Sequence, residues 1–121
     1  MHAACFLCES MTPIPGSRLF DVHRAGIGGL RRKPEGPAKV TLAVLLTTEM
    51  GITRDDRLTL VRVSPDGRRD MLVELGMRDE GHETQSWISC EIEVDYEPGP
   101  YRFEVLRGSE LLCFVPFEVL R

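Results

Sequence analysis

Two cysteines near the start of the chain, Cys5 and Cys8, have the C-x-x-C spacing that occurs in metal sites and redox motifs. A structural zinc site needs about four ligands, and neither a second C-x-x-C nor a paired histidine supplies the other half. A thioredoxin-like pair needs a helix N-terminus to lower the thiol pKa, whereas the run ACFLC is typical of a strand.

In a strand, residues three apart point to opposite faces, so we expect the sulfurs of Cys5 and Cys8 to diverge. Each would then behave as a small hydrophobic group. The alternative is a metal- or thiol-dependent enzyme or sensor that uses both residues. Cys90 and Cys113 are predicted to lie on the inner faces of their strands, and the sequence does not show whether they are neighbours.

A basic run is the second candidate site, and it follows the glycines of GIGG: Arg31, Arg32 and Lys33. Backbone N–H groups of glycines beside cations can cradle an anion. The P-loop pattern is absent and no helix follows, so the run is not a nucleotide fingerprint. We expect residues 24–38 to form a solvated loop, with an anion or an acidic partner as its functional alternative. A carbohydrate-binding version would stack a sugar on Trp87 and Tyr101, although Tyr101 also fits the core.

Acidic side chains and histidines form weaker patterns. Carboxylates in two loops are numerous enough to bind calcium, but EF-hand spacing is absent and arginines lie among them, as in ordinary surface ion pairs. They are Asp55, Asp56, Asp79, Glu80 and Glu83. There is no G-x-S-x-G elbow, and the histidines lie in a terminus or in loops. We therefore predict no catalytic residue, no metal ligand and no cofactor, which favours a protein that is not an enzyme.

The elements that must position these groups are short strands. In WISCEIEV the apolar residues alternate with polar ones, and YRFEV repeats the pattern, which indicates strands with one buried face. In RLTLVRV the apolar phase slips between Leu60 and Val61, which predicts a β-bulge. Turns are predicted at IPGS, SPDG, EPGP and RGSE. Strands are expected near 3–9, 17–23, 39–47, 57–63, 69–75, 87–94, 101–107 and 111–119.

This pattern predicts an all-β protein, an antiparallel immunoglobulin-like β-sandwich of about eight strands in a single domain spanning residues 1–121. The last strand, LLCFVPFEVLR, is apolar on both faces. Its outward face carries three large apolar side chains, and Pro116, which cannot donate a ladder hydrogen bond, belongs at a sheet edge or at a bulge. We expect a partner or the 24–38 loop to cover this face, and we predict an interface at Leu112, Phe114 and Leu120.

Size and charge narrow the classes of function. The chain has 121 residues, a net charge of −4 and a pI near 5.4, which argues against a nucleic-acid partner. No apolar run is long enough to span a membrane, and the start lacks the features of a secretion signal. We expect a cytoplasmic protein with reduced thiols.

The order of the motifs FLCES, GSRLFDV, VTLAVLL, RLTLVRVSPDGRR and EPGPYRFEVLRGSELLCFVPFEV resembles a family of small, uncharacterised bacterial and phage-associated all-β proteins. Its members open with a strand that ends in a Leu-Cys-Asp/Glu-like step and close with a Pro-Gly…Tyr-Arg-Phe hairpin. The chain departs from that pattern at GIGGLRRKPEGP. The resemblance implies the fold and a recurring strand position for Cys8, and it transfers no catalytic residue. We therefore expect a non-enzymatic binding or assembly module that self-associates or joins a larger bacterial or phage-linked complex.

Overall fold

The computed structural model describes residues 2–17, 19–47, 55–78 and 85–121, and within these ranges all regular structure is β-strand. No helix in these ranges has the length and apolar character that a membrane span requires. The strands are β1 (His2–Cys8), β2 (Ser10–Pro13), β3 (Phe20–His23), β4 (Gly29–Arg31), β5 (Ala38–Thr47), β6 (Asp55–Val63), β7 (Arg69–Arg78), β8 (Gln85–Val94), β9 (Gly99–Arg107) and β10 (Glu110–Leu120).

The strands form two packed sheets and a small hairpin. The small sheet has the order β1–β5–β8, the large sheet has the order β4–β10–β9–β6–β7, and β2 pairs with β3. Neighbours are antiparallel except β4 and β10, which run parallel. The predicted antiparallel immunoglobulin-like β-sandwich is confirmed. All eight predicted segments overlap observed strands, and β2 and β4 are additional.

The core lies between the two sheets, as the alternation in the sequence predicts. The small sheet contributes the inward residues of β5, among them Leu42 and Val44. The large sheet contributes Leu60, Phe103 and Val105, which are neighbours across β6 and β9 or along β9. Each of these five side chains has at most 1% of its surface exposed. Their burial is the main source of stabilisation of the sandwich, because removal of apolar surface from water drives folding.

Tyr101 stabilises the start of β9 in a way that is common in immunoglobulin-like sandwiches. Its hydroxyl donates a hydrogen bond of 2.7 Å to the carbonyl oxygen of Glu97, four residues upstream, as in a tyrosine corner. The ring stacks on Phe117, with 5.7 Å between the ring centroids. Burial raises the pKa of the phenol. Tyr101 is therefore a core residue, in agreement with the prediction.

Local turns and one irregularity follow the sequence closely. The turn at SPDG is closed by a hydrogen bond from the N–H of Gly67 to the carbonyl of Ser64, and Gly67 has a φ of 85°, where glycine is favoured. Gly108 and Ser109 connect β9 directly to β10. The predicted bulge is present at Leu60 and Val61, although the extra residue is Leu72 in the partner strand β7.

The predicted 24–38 loop is partly ordered into the sheets. The N–H groups of Gly26 and Ile27 both donate to the carbonyl of Leu7 in β1, so the segment runs along the edge of the small sheet. It then forms β4, which pairs with Glu118–Leu120 at the end of β10 in the large sheet. The segment therefore closes part of one side of the sandwich, and the prediction of a wholly solvated loop is wrong.

Candidate functional site

The C-x-x-C pair lies in the extended strand β1, and its two sulfurs point to opposite faces, as predicted. Cys5 is paired with Val44 on the inner face, whereas Cys8 is paired with Thr41 on the outer face. Cys8 is fully buried, its thiol lies 3.6 Å from the carbonyl oxygen of Thr41 as a hydrogen-bond donor, and burial raises its pKa. Within the described ranges no three His, Cys, Asp or Glu residues are grouped as metal ligands would be. The thiol that Cys5 meets belongs to Cys113, on the opposite sheet.

The last strand is irregular at the point where the sequence predicts an interface. The register between β9 and β10 shifts between Leu111 and Cys113, so Leu112 is an extra residue. Leu112 packs against the core, and Leu111 is 45% exposed in its place. The predicted outward position of Leu112 is therefore wrong, because the bulge breaks the strict alternation on which that prediction depends.

Phe114 and Leu120 do face outward, but they do not form one patch. They are six positions apart along an extended strand, which corresponds to about 20 Å. Leu120 is half-buried beside Gly29 of β4 and lines a shallow pocket of about 310 Å³ with Pro98 and Gly99. Phe114 is 51% exposed on the outer face of the large sheet. Their roles in an interface stay predictions, and Phe114 is the stronger candidate.

Two rows of side chains cross the outer face of the large sheet at Phe114. The first row consists of residues paired across four strands: Phe114, Glu104, Val61 and Met71. The second row lies two residues away from the first on each strand and consists of Pro116, Arg102, Val63 and Arg69. Together with Leu111, these two rows form what we call the Phe114 surface. Met71 is 66% exposed at one end, so apolar side chains face solvent at both ends of the first row.

A buried carboxylate anchors the centre of the Phe114 surface. Glu104 is only 2% exposed although it lies on an outer face, and its two oxygens accept from Arg69 at 2.5 Å and from Arg102 at 2.7 Å. The Arg102 guanidinium also lies 5.5 Å from the centroid of the Phe114 ring. Charge-assisted hydrogen bonds of this kind fix side-chain geometry. The sequence predicts Glu104 as an ordinary outward residue, because it does not show which strands lie beside β9.

The basic run is divided between two surroundings. Arg31 and Lys33 line a groove of about 880 Å³ between the 24–38 segment and the small sheet, with Arg24 and Lys39 nearby. Arg24 pairs with Glu9 at 3.3 Å and Lys39 pairs with Glu91 at 3.9 Å. Arg31 and Lys33 have no ion pair with any residue that the structure describes.

Arg32, the middle residue of the run, does not line the groove. Its side chain forms an ion pair of 3.2 Å with Asp95. Neighbouring residues of an extended segment alternate in direction, which explains why Arg31 and Lys33 share a surface that Arg32 does not.

The remaining predicted sites are not assembled within the described residues. Trp87 lies in β8 of the small sheet, where it contacts Phe6 and Phe20, whereas Tyr101 is buried in the large sheet, so the two cannot stack on one sugar. The acidic-loop prediction lies outside the described residues for Asp79, Glu80 and Glu83, and the side chains of Asp55 and Asp56 are not described.

The chain is an immunoglobulin-like β-sandwich, and comparison with solved structures agrees with this class. An immunoglobulin-like protein from Pseudomonas aeruginosa is similar over 94% of this chain and 91% of that one, with a TM-score of 0.50 and 16% identity. Part of an alkylpurine DNA glycosylase, AlkC, from Pseudomonas fluorescens, in complex with DNA containing an abasic site analog, is similar with a TM-score of 0.57 and 16% identity. That match covers 78% of this chain but only 28% of the glycosylase chain.

At this level of identity the similarities concern the fold alone. No protein-family model matches the chain, and no curated protein is significantly similar to it in sequence.

Proposed function

We propose that the protein is a non-enzymatic binding or assembly module that self-associates through the Phe114 surface; the alternative is that it joins a larger bacterial or phage-linked complex. The observation that carries this proposal is the exposure of Phe114, Met71 and Leu111 on one sheet face. Large apolar side chains grouped on a surface and accompanied by arginine are typical of protein interfaces.

Ion pairs within the Phe114 surface restrict the positions of its side chains before any partner binds. Glu104 fixes Arg102, and Arg102 lies against the Phe114 ring, so the aromatic side chain is supported on one side. An aromatic group with restricted motion loses little conformational entropy on association, which favours affinity. Phe114 is therefore the expected centre of the contact.

The charges around the surface suit a second copy of the same chain. Arg69 and Arg102 lie on one side of the Phe114–Met71 row, and Glu74, in an exposed pair with Arg57, lies on the other side. In a two-fold dimer each patch meets its own copy. A two-fold axis along the row would place Arg69 and Arg102 of one protomer opposite the Glu74–Arg57 pair of its partner, in which Glu74 carries the complementary charge.

Light scattering after size-exclusion chromatography, across the micromolar concentration range, tests the proposal. We expect the wild type to dimerise and Phe114→Asp to weaken the dimer at least tenfold, which corresponds to about 1.4 kcal/mol. Leu19→Asp is the matched control, because Leu19 is 66% exposed in the segment between β2 and β3, away from this surface. A wild type that stays monomeric throughout, or a Leu19 variant that dissociates as readily, contradicts the proposal.

A second candidate function is anion binding in the groove beside the 24–38 segment. The observation that favours it is the presence of Arg31 and Lys33 without an ion-pair partner among the described residues. Titration calorimetry with inorganic phosphate tests it. Arg31→Ala combined with Lys33→Ala should abolish binding, whereas Arg32→Ala should not, since Arg32 is turned toward Asp95. Equal loss in both variants, or no binding by the wild type, argues against a site here. The net charge of −4 leads us to propose no nucleic-acid partner.

A further inference from the structure

Two cysteines from opposite ends of the chain meet where the edges of the two sheets face each other. Cys5 lies on the inner face of β1, the edge strand of the small sheet. Cys113 lies on the inner face of β10, paired with Val105, and β4 covers that strand only at Glu118–Leu120. The strands β1 and β10 pack together across the sandwich, which brings the thiols of Cys5 and Cys113 next to each other.

The two thiols of this pair are not equivalent. The hydrogen bond from Cys113 lowers the pKa of Cys5 against the opposing effect of burial, and the same contact, together with burial, raises the pKa of Cys113. Burial also raises the pKa of Cys8 and of Cys90. Cys5 is therefore the thiol that ionises most readily, because the neighbouring Cys113 thiol stabilises its ionised form. A thiolate beside a second thiol is the arrangement that oxidises selectively.

We propose that Cys5 and Cys113 form a reversible disulfide that joins the facing edges of the two sheets when the protein meets a hydroperoxide. The Cys5 thiolate attacks the peroxide, the O–O bond breaks, and Cys5 becomes a sulfenic acid while the remaining oxygen leaves as water or an alcohol. The sulfur of Cys113 then attacks that of Cys5, the S–O bond breaks, and water leaves as the S–S bond forms. The two thiols together lose two protons and two electrons, which reduce the peroxide.

The bond would connect the beginning of the chain to its end. Its loop would enclose almost the whole sequence, and a cross-link over a long loop removes much conformational freedom from the unfolded state. It would also hold β10 against β1 where β4 does not reach. Oxidation should therefore raise the melting temperature by several degrees, and a thiol reductant should reverse the change.

Mass spectrometry of the full-length protein after treatment with hydrogen peroxide tests the proposal. We expect an intact mass lower by two hydrogens, and a tryptic digest, made without reductant, in which residues 1–18 are linked to residues 108–121. Because residues 1–18 contain both Cys5 and Cys8, the variants must separate them. The link should persist in Cys8→Ser and Cys90→Ser and disappear in Cys5→Ser and in Cys113→Ser.

Cys90 is the matched control, because it is also half-buried at the sandwich core and has a raised pKa. If Cys8→Ser fails to fold, fragmentation of the linked wild-type peptide assigns the bond to Cys5 or to Cys8. A link that uses Cys8 or Cys90, a link only between two molecules, or four thiols that all stay reduced would overturn the proposal.

Discussion

The outer faces of the two sheets both carry large apolar side chains, but the two faces differ in how far other segments of the chain cover them. On the small sheet, Trp87 lies 6.3 Å from Phe6 of β1 and 6.4 Å from Phe20 of the β2–β3 hairpin, measured between ring centroids. Ala43, paired with Phe6 on the same face, is fully buried. On the large sheet, Phe114 and Met71 stay half or more exposed, and their described neighbours are the Glu104 ion pairs.

This difference distinguishes a largely covered face of the sandwich from an uncovered one. On the small sheet the β2–β3 hairpin covers part of the apolar face, and Trp87 keeps 38% of its surface exposed. The large sheet has no equivalent cover among the described residues, and the centre of its outer face carries the ion pairs of Glu104. An apolar surface that the chain leaves exposed but ordered is better suited to a partner than one it has already covered.

Substitution by aspartate at matched outward positions should give the largest contrast. Ala43→Asp places a charge in a fully buried position of the small sheet and should cost about 4 kcal/mol of the free energy of unfolding, enough to unfold a marginal domain. Met71→Asp introduces the same group on the exposed large-sheet face and should change stability by about 0.5 kcal/mol or less. Urea denaturation followed by circular dichroism measures both. Similar losses in the two variants would show that the faces are equally covered.

Removal of the central carboxylate of the Phe114 surface should give an intermediate effect. Glu104→Gln leaves the guanidinium groups of Arg69 and Arg102 without their counter-charge and should lower the free energy of unfolding by about 2 kcal/mol. Glu74→Gln is the control, since the Glu74–Arg57 pair is exposed and should contribute less than about 1 kcal/mol. Equal effects in the two denaturation curves would mean that burial of Glu104 adds nothing.

The smallest effect concerns an inward ion pair at one end of the large sheet. A hydrogen bond from Arg62, and to a smaller extent one from Arg68, holds the pKa of Asp70 below its usual value of about 3.9. The ion pair therefore stabilises the folded protein at pH values above the usual pKa of Asp70. This stabilisation is lost as the pH falls through the lower pKa that Asp70 has in the folded state. Melting temperatures should be measured between about pH 6 and about pH 2. As the pH falls, the melting temperature should decrease less steeply for Asp70→Asn than for the wild type. Parallel curves would show that the pair does not contribute.

The predictability of the fold varies with the length and alternation of each strand. Long strands with period-two patterns, such as β8 and β9, are evident from sequence because each has a buried and an exposed face. The strands β2 (SMTP) and β4 (GLR) are not evident, because they have four and three residues and no apolar alternation. They exist because they pair with β3 and with the end of β10, and such pairings depend on tertiary position.

The candidate sites also divide into features that the sequence predicts and features that depend on tertiary position. The outward direction of Phe114 and the divergence of Cys5 and Cys8 follow from alternation within one strand, so the sequence was sufficient for both. The bulge turns Leu112 toward the core and leaves Leu111 facing outward. It depends on the register between β10 and β9, which alternation along β10 does not specify.

By itself, therefore, the sequence determined the all-β class, the main strands, their turns and the direction of most side chains, because these depend on residues a few positions apart. The tertiary structure decided which strands are neighbours. It brought Glu104 between Arg69 and Arg102, placed Arg31 and Lys33 in one groove, and set Cys5 against Cys113 from the other end of the chain. Such contacts join residues far apart in sequence, and only the packing of two sheets determines them.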